Sequence, residues 1–283
     1  SIFKSIEKYI HIFHEPMLIP NLYIFESICE NLAKNNVDAI FDGNDGDNVI
    51  SYGFDGIYNH FKSLNFISFC SSVFNYAKIH KKSKSKMLVF FLKNSLKKLF
   101  GFKGKLKNNS LLQDSIFIEA GGNASKNILD SHETLLRNNL HFVAFESRHR
   151  IFSKLGVETV SPFYDKDLIN FCVNMPATFK FYKGHTRYIQ RDYLSYFLGE
   201  EHAFRENKAD LSKGLVSNFS DYDYKIVINE KAKINKYLFE ILDLDKLDSI
   251  CNKWSQKKMI TEQDIVNLQI FLNTNIFLNS FFK

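Results

Sequence analysis

A chain of 283 residues with 45% hydrophobic content can bury a full core and sits near the upper size for a single domain. Only four prolines and twelve glycines force turns, which favours long helices over a strand-rich sandwich, and most of the 29 Phe and 13 Tyr rings read as core rather than as a binding platform. The net charge of +6 has one source, because the stretch from Lys78 to Lys107 holds eleven lysines and no acidic residue, so the remainder of the chain is net negative.

The chain starts in an amphipathic helix and reaches the tripeptide His14-Glu15-Pro16. A helical stretch follows in which Ile24, Ile28, Leu32 and Ala33 recur at three- and four-residue steps. The apolar segment Val37 to Ile40 then reads as a strand running into Phe41-Asp42-Gly43-Asn44-Asp45-Gly46-Asp47-Asn48. An acidic loop punctuated by glycine suits phosphate and magnesium. Glycines at 43 and 46 let backbone N–H groups approach an anion with no Cβ in the way, and a carboxylate such as Asp47 holds the hard cation that travels with phosphates. The same string also suits a hairpin turn. A calcium loop fits poorly, since the position that needs glutamate, the twelfth from Asp42, is Gly53.

In the lysine-rich insert, 78–107, the run Met87 to Leu92 is followed by Leu96, Leu99 and Phe100, so a helix there is expected to bury a broad apolar face with lysines beside it. A solvated lysine face, an anionic membrane, an acidic peptide and a nucleic acid all fit such a surface, although no nucleic-acid reader motif is present. Gly121-Gly122-Asn123 interrupts the pattern. From Asp130 to Arg150 a helix is expected to turn Leu135, Leu136, Leu140, Val143 and Ala144 inward and Arg137 and Arg148 outward. His141 and His149 have no partner at metal-ligand spacing and read as structural or exposed. Pro162 and Pro176 bracket a short helix over Phe163 to Met175, with Asp165 placed to accept from its first free amides. Arg187 and Arg191 stand four apart on the next helix, where they either face phosphate together or form a surface pair. Residues 213–283 read as a C-terminal helical extension, with helices over Ile226 to Leu242 and Glu262 to Phe282, and Ile265, Leu268, Ile270, Phe271 and Ile276 sealing the bundle. Cys29, Cys70, Cys172 and Cys251 are too scattered for a metal or C-x-x-C site and read as reduced, buried thiols of a cytoplasmic protein. No signal peptide stands out, and no uncharged apolar run reaches the roughly 18 residues that span a bilayer.

Taken in order, His14-Glu15-Pro16, the 42–48 loop, Ser161-Pro162-Phe163-Tyr164-Asp165, Gly184-His185-Thr186-Arg187-Tyr188 with Arg191, and Lys208 resemble the synthetase domain of the asparagine synthetase family. That family also contains β-lactam synthetases and lasso-peptide cyclases, and the resemblance covers roughly residues 12–220. It implies a helix-rich α/β fold. The chain would hold the later part of a parallel sheet of the adenine-nucleotide α-hydrolase type, merging into a mostly helical region. It also implies a ligase that uses ATP and Mg2+ to adenylate a small-molecule or peptide carboxylate before ammonia or another amine attacks. By the same resemblance, Asp47 holds magnesium and pyrophosphate, Asp42, Gly43, Asn44 and Gly46 meet the nucleotide along with Arg187, and Lys208 faces the charged intermediates, where a fixed ammonium stabilises developing negative charge.

The departures from the family pattern are informative as well. The leading serine of the loop is Asp42 here, its second glycine is Asp45 and its closing glutamate is Asn48. Asn44 replaces a residue that in some relatives acts as a base or places the nucleophile, and an amide only hydrogen-bonds. The pyrophosphate-gripping S-G-G-x-D-S string expected upstream of His14 is absent, as is the glutamine-hydrolysing domain. Three explanations stay open: a fragment of a longer enzyme, one half of a split enzyme completed by a separate N-terminal polypeptide with the phosphate loop or glutaminase, or a degenerate relative. In the last case the chain is a non-catalytic partner or scaffold whose basic insert binds an anionic peptide, membrane or nucleic acid.

Overall fold

The computed structural model describes residues 1–17, 22–101, 107–119, 127–137, 139–206 and 212–282. Helix α1 (Ile6–Phe13) and helix α2 (Leu22–Lys34) lead to strand β1 (Ala39–Phe41) and the short α3 (Gly46–Ile50). Helices α4 (Phe54–Lys62), α5 (Phe66–Ile79), α6 (Lys84–Leu99), α7 (Asp114–Glu119), α8 (His132–Leu136) and α9 (Asn139–Lys154) follow. After strand β2 (Glu158–Val160) and a 3-10 turn at Pro162–Tyr164 come α10 (Lys166–Asn174), α11 (Ala177–Lys180) and the small hairpin β3 (Phe181–Tyr182) and β4 (His185–Thr186). The chain finishes with α12 (Tyr188–Leu198), α13 (Glu200–Ala203), α14 (Ser212–Asn218), α15 (Asp221–Lys231), α16 (Lys236–Phe239), α17 (Leu244–Ser255) and α18 (Glu262–Phe281). Helix dominates, and β1 pairs with β2 in parallel, Ala39 opposite Glu158 and Phe41 opposite Val160, so the expected helix-rich α/β class holds.

Helix α18 is the axis of the largest core. Thr261 and Asp264 form a reciprocal capping box at its start, and Ile265, Leu268, Phe271, Leu272 and Ile276 are buried against residues of α1, α15 and α17. Ile270, expected among these sealing residues, is exposed, because it lies on the opposite side of the helix. The polar stripe of α18 is buried as well and fully employed. Asn273 Oδ1 accepts from the Met17 N–H at 3.0 Å, Asn275 Oδ1 accepts from the Asn235 N–H at 2.9 Å, and Asn275 Nδ2 donates to the Glu230 carboxylate at 3.0 Å. Asp223, in the capping box of α15, also accepts from the Phe3 N–H at 3.0 Å. The start of the chain and residues 213–283 therefore share one core.

Several elements differ from their sequence expectation. In α2 the inward residues are Phe25, Cys29, Leu32 and Ala33, whereas Ile28 is exposed. The single helix expected from Asp130 to Arg150 is two helices, α8 and α9, with Val143 exposed and Arg148 buried. The helix expected over Ile226 to Leu242 breaks between α15 and α16, where the Asn235 side chain caps α16 by accepting from the Tyr237 N–H. Asp165 caps α10 as expected, accepting from the Leu168 N–H at 2.8 Å. Three cysteines are buried and Cys70 is half-buried, all as free thiols. Gly121-Gly122-Asn123 and the His141 side chain lie outside the described residues.

Helix α6 is the largest surprise. Ser83 caps it and it packs on α5 and α4, yet it buries only Phe91 and Ser95, leaving Val89, Phe90, Leu92, Leu96 and Leu99 exposed. The expected broad buried face is narrow because one flank of the helix alone meets other elements. No helix among the described residues is long and apolar enough to cross a membrane.

Asn275→Ala leaves the Asn235 N–H and a Glu230 oxygen without partners in a dry core, so a loss of about 2–3 kcal/mol is expected in the urea unfolding free energy.

Candidate functional site

The parallel pairing of β1 with β2 sets the site, because it brings the 42–48 loop alongside Ser161 and the Pro162–Tyr164 turn. The Asp42 N–H still donates to the Val160 carbonyl at 3.0 Å, so the loop departs directly from the ladder. The Asp42 carboxylate turns inward. Its Oδ1 accepts from the Asn44 N–H and from the Ser161 hydroxyl, each at 3.0 Å, and its Oδ2 lies 3.1 Å from Arg148 Nη2. Arg148 is 3% exposed, lies over the Phe145 ring and also donates to Ser161 Oγ at 3.1 Å. Burial pushes its guanidinium below its ordinary value, and Asp42 pulls the other way.

Asp45 adopts the left-handed backbone conformation, φ 54°, which accounts for the glycine of the family pattern at this place and which aspartate tolerates better than most residues. Its carboxylate accepts from the Tyr164 hydroxyl and from Asn48 Nδ2, the latter at 2.7 Å. Burial, together with the adjoining Asp45 charge, drives the Tyr164 phenol far up, so it remains a neutral donor. Gly46 sits where a Cβ would stand 2.9 Å from the Phe163 ring. The Pro-Phe-Tyr-Asp element thus holds the loop from behind, while Gly43 has no heavy atom within 4 Å of its missing Cβ and faces open space there.

On the outer side, Asp47 forms an ion pair with Arg187 and accepts from the Tyr52 hydroxyl at 3.2 Å. The Asp47 side chain is 43% exposed. Arg187 precedes α12 in the left-handed region at φ 55°, and its guanidinium centre lies 5.2 Å from the Tyr52 ring centroid. The hairpin that presents it needs Gly184, whose φ is 92° and whose Cβ would come within 2.5 Å of the Asn75 carbonyl. Arg187 and Arg191 both line the cleft beside Asn48 and Ser51 but make different contacts. Arg191 donates to the carbonyls of Thr186, Ala203 and Arg205 at 2.9, 3.0 and 2.9 Å, tying down the turn after α13.

Behind the loop lies a buried cationic chain. Lys180, 1% exposed, is 3.1 Å from His132 Nδ1, and His132 Nε2 is 2.8 Å from the Asn48 carbonyl at the end of α3. Burial, then the Lys180 charge, holds the His132 imidazole below its ordinary range, against the Asn48 and Cys172 carbonyls. Burial also lowers Lys180, against Asp55.

A cleft of about 1090 Å3 opens beside Asn48 and Ser51, walled by Tyr52, Tyr76, His80, Arg187, Arg205 and Glu206. Glu206 lies 3.0 Å from His185 Nδ1, 3.5 Å from Arg191 Nη2 and 3.6 Å from His80 Nδ1. Lys208 lies outside the described residues, two positions beyond Glu206.

The asparagine synthase family model matches residues 1–278. The chain belongs to the asparagine synthase family. No curated protein and no solved structure shows a match. The family is one of ATP-dependent ligases that use ATP with Mg2+. Among the described residues no group of three or more His, Cys, Asp or Glu side chains converges as a metal cage. A lone, half-exposed carboxylate such as Asp47 nevertheless fits magnesium, which is commonly held by one or two carboxylates plus substrate phosphates. Sequence reasoning missed Tyr52, Tyr164, His132, Lys180, Glu206 and the Asp42–Arg148 pair, since only tertiary packing joins them to the synthetase loop.

Removing one partner of a buried ion pair leaves the other charge uncompensated. Arg148→Ala is expected to lower the unfolding free energy by about 3 kcal/mol, and a double variant with Asp42→Asn to lose less than the sum of the two single changes in the same urea titration. A second expectation concerns pH. The unfolded imidazole takes its proton near pH 6.5, whereas native His132 resists it, so the unfolded chain binds more protons as pH falls and stability declines below about pH 6.5. His132→Gln flattens that slope in urea titrations across the same range. His80, also lowered by burial, retains its share.

Proposed function

We propose that this chain carries the synthetase chemistry of an amide-forming ligase or amidotransferase. A small-molecule or peptide carboxylate attacks the α-phosphorus of ATP, giving an acyl-adenylate and pyrophosphate, and ammonia or another amine then displaces AMP. The observation that carries this reading is the ion pair of Asp47 with Arg187, which with Tyr52 lines a large cleft, in the same loop whose Gly43 has open space where a Cβ would stand. Asp47 holds the magnesium, which neutralises charge on the departing pyrophosphate. The backbone at Asp42, Gly43, Asn44 and Gly46 lies along the nucleotide. Arg187 exchanges its ion pair with Asp47 for a phosphate oxygen, a change that the planar fork of a guanidinium suits. Lys208 stabilises the negative charge of the acyl-adenylate as the amine attacks.

The missing phosphate loop is supplied by further polypeptide, in the same chain or in a separate subunit. The sheet supports this. Parallel sheets are normally covered on both faces, yet Phe41 at the end of β1 is 73% exposed. A second reading, a non-catalytic scaffold, is favoured by the Asp47–Arg187 ion pair, which engages the two residues expected to meet magnesium and phosphate.

One experiment decides between them: pyrophosphate release and product formation by the chain together with the polypeptide that carries the phosphate loop. The ligase reading expects Lys208→Ala to reduce turnover by about a hundredfold or more with an unchanged melting temperature, and Asp47→Asn to do likewise while weakening Mg-ATP binding. Unchanged turnover in Lys208→Ala removes that residue from the mechanism, and no Mg-ATP binding under any of these conditions establishes the scaffold.

A further inference from the structure

The exposed side of α6 combines two features that seldom occur together without a partner. Val89, Leu92, Leu96 and Leu99, spaced three, four and three residues apart, form an apolar stripe along one side of the helix, and all four are exposed. Lys86, Lys93 and Lys97 run along one flank of this stripe, with Phe90 and Phe100 exposed at its margins. A shallow apolar depression on this face is lined by Val89, Leu92, Lys93, Leu96 and Lys97, all from α6.

Further apolar side chains are exposed at one end of the helix. α5 and α6 pack as a hairpin joined by residues 80–83, so the start of α5 lies at the same end as the finish of α6. Leu64, Phe66 and Ile67 are exposed there, Ile67 at 85%, next in sequence to Lys62 and at the same end as Leu99 and Phe100. Inward-facing groups do not belong to this surface. Lys98 turns to the Leu129 carbonyl and the Tyr58 ring, and Phe91 enters the core with Phe54 and Tyr76.

We propose that this hairpin face is a peripheral docking surface for an anionic lipid membrane, with the apolar stripe entering the headgroup boundary and the lysines meeting lipid phosphates. Charge decides the sign of the partner, since the stretch from Lys78 to Lys107 holds eleven lysines and no acidic residue. Shape decides its kind. An amphipathic partner helix lies in a trough with two walls, whereas among the described residues the α6 surface is the ridge of one helix with no opposing wall. A planar, deformable surface needs none, and a helix with an apolar stripe and basic flank lies in such an interface. This surface is independent of the ligase site and of the reaction there.

The test is sedimentation of the chain with vesicles of phosphatidylserine and phosphatidylcholine, against phosphatidylcholine alone, at low and high salt. Binding to the anionic vesicles only, weakened by salt as the screening length shrinks, is expected. The triple variant Lys86→Glu, Lys93→Glu, Lys97→Glu is expected to bind about a hundredfold more weakly, each lysine near an anionic surface being worth somewhat under tenfold. Leu92→Ser with Leu96→Ser is expected to weaken binding about tenfold through lost apolar burial. These side chains are exposed apart from the half-buried Lys97, and melting temperatures close to that of the parent chain show that the fold persists. Equal sedimentation with neutral vesicles overturns the proposal, as does insensitivity to the lysine variant. Indifference to the serine variant alone reduces the surface to a general polyanion binder. Capture of an acidic amphipathic peptide in the absence of vesicle binding assigns the face to a helical protein partner instead.

Discussion

The buried contact of Arg148 with Asp42 is the interaction on which the architecture of the site depends. Charge of this kind is costly to bury alone and tolerable only when paired and hydrogen-bonded. The pair meets that condition in part: Ser161 and the Asn44 N–H bond to Asp42 Oδ1, and Ser161 also accepts from Arg148 Nη2, whereas the buried Asp42 Oδ2 and Arg148 Nε make no hydrogen bond among the described residues. One contact thereby joins α9, the loop after β1 and the residue following β2. Asp42 stands where the family pattern has serine, and the substitution is matched by a cation in the interior. The backbone at Gly43 then faces open space and Gly46 packs against Phe163, while the carboxylate of Asp42 is used for structure.

The loop is held from three sides by different chemistry. Behind it, Phe163 and Tyr164 close on Gly46 and Asp45. Beneath the end of α3, His132 meets the Asn48 carbonyl and passes the contact to a fully buried Lys180. In front, Asp47, Arg187 and Tyr52 make a surface cluster that solvent reaches. Support behind and a solvent-reached ion pair in front hold the loop in one geometry while leaving its outer face accessible. The core around α18 contributes at a distance, since its buried asparagines fasten the first residues of the chain to the last.

Against this, α6 stands apart. Its cap and its packing are ordinary, yet the side away from the fold is both apolar and basic. A solvated helix carries its lysines without a hydrophobic stripe, and a core helix buries its stripe. The combination belongs to a surface that meets another phase or another molecule.

The order of short motifs in the chain was enough to identify the family, because tight local geometry constrains residue type, and Gly46 against Phe163 and Gly184 against Asn75 record such constraints in the sequence. The preponderance of helix followed from the scarcity of glycine and proline and from the three- and four-residue periodicity, whereas the α/β class came from the resemblance to the family. The cap at Asp165 was legible too, since capping needs only residues a few positions apart. What periodicity failed to settle was which side of a helix faces inward: Arg148 was expected outward and is buried, Ile28 and Ile270 were expected inward and are exposed, and α6 was expected to hide a broad apolar face. A helix turns toward whatever packs beside it, and neighbours distant in sequence leave no trace in local spacing. For the same reason Tyr52, Tyr164, His132, Lys180 and Glu206 joined the site only once β1 lay beside β2 and the chain had folded back on itself. Sequence alone determined which chemistry the loop can support; tertiary structure decided which charges are buried, which pair with one another and which are left facing out, because burial depends on what packs against a residue and not on the residues beside it.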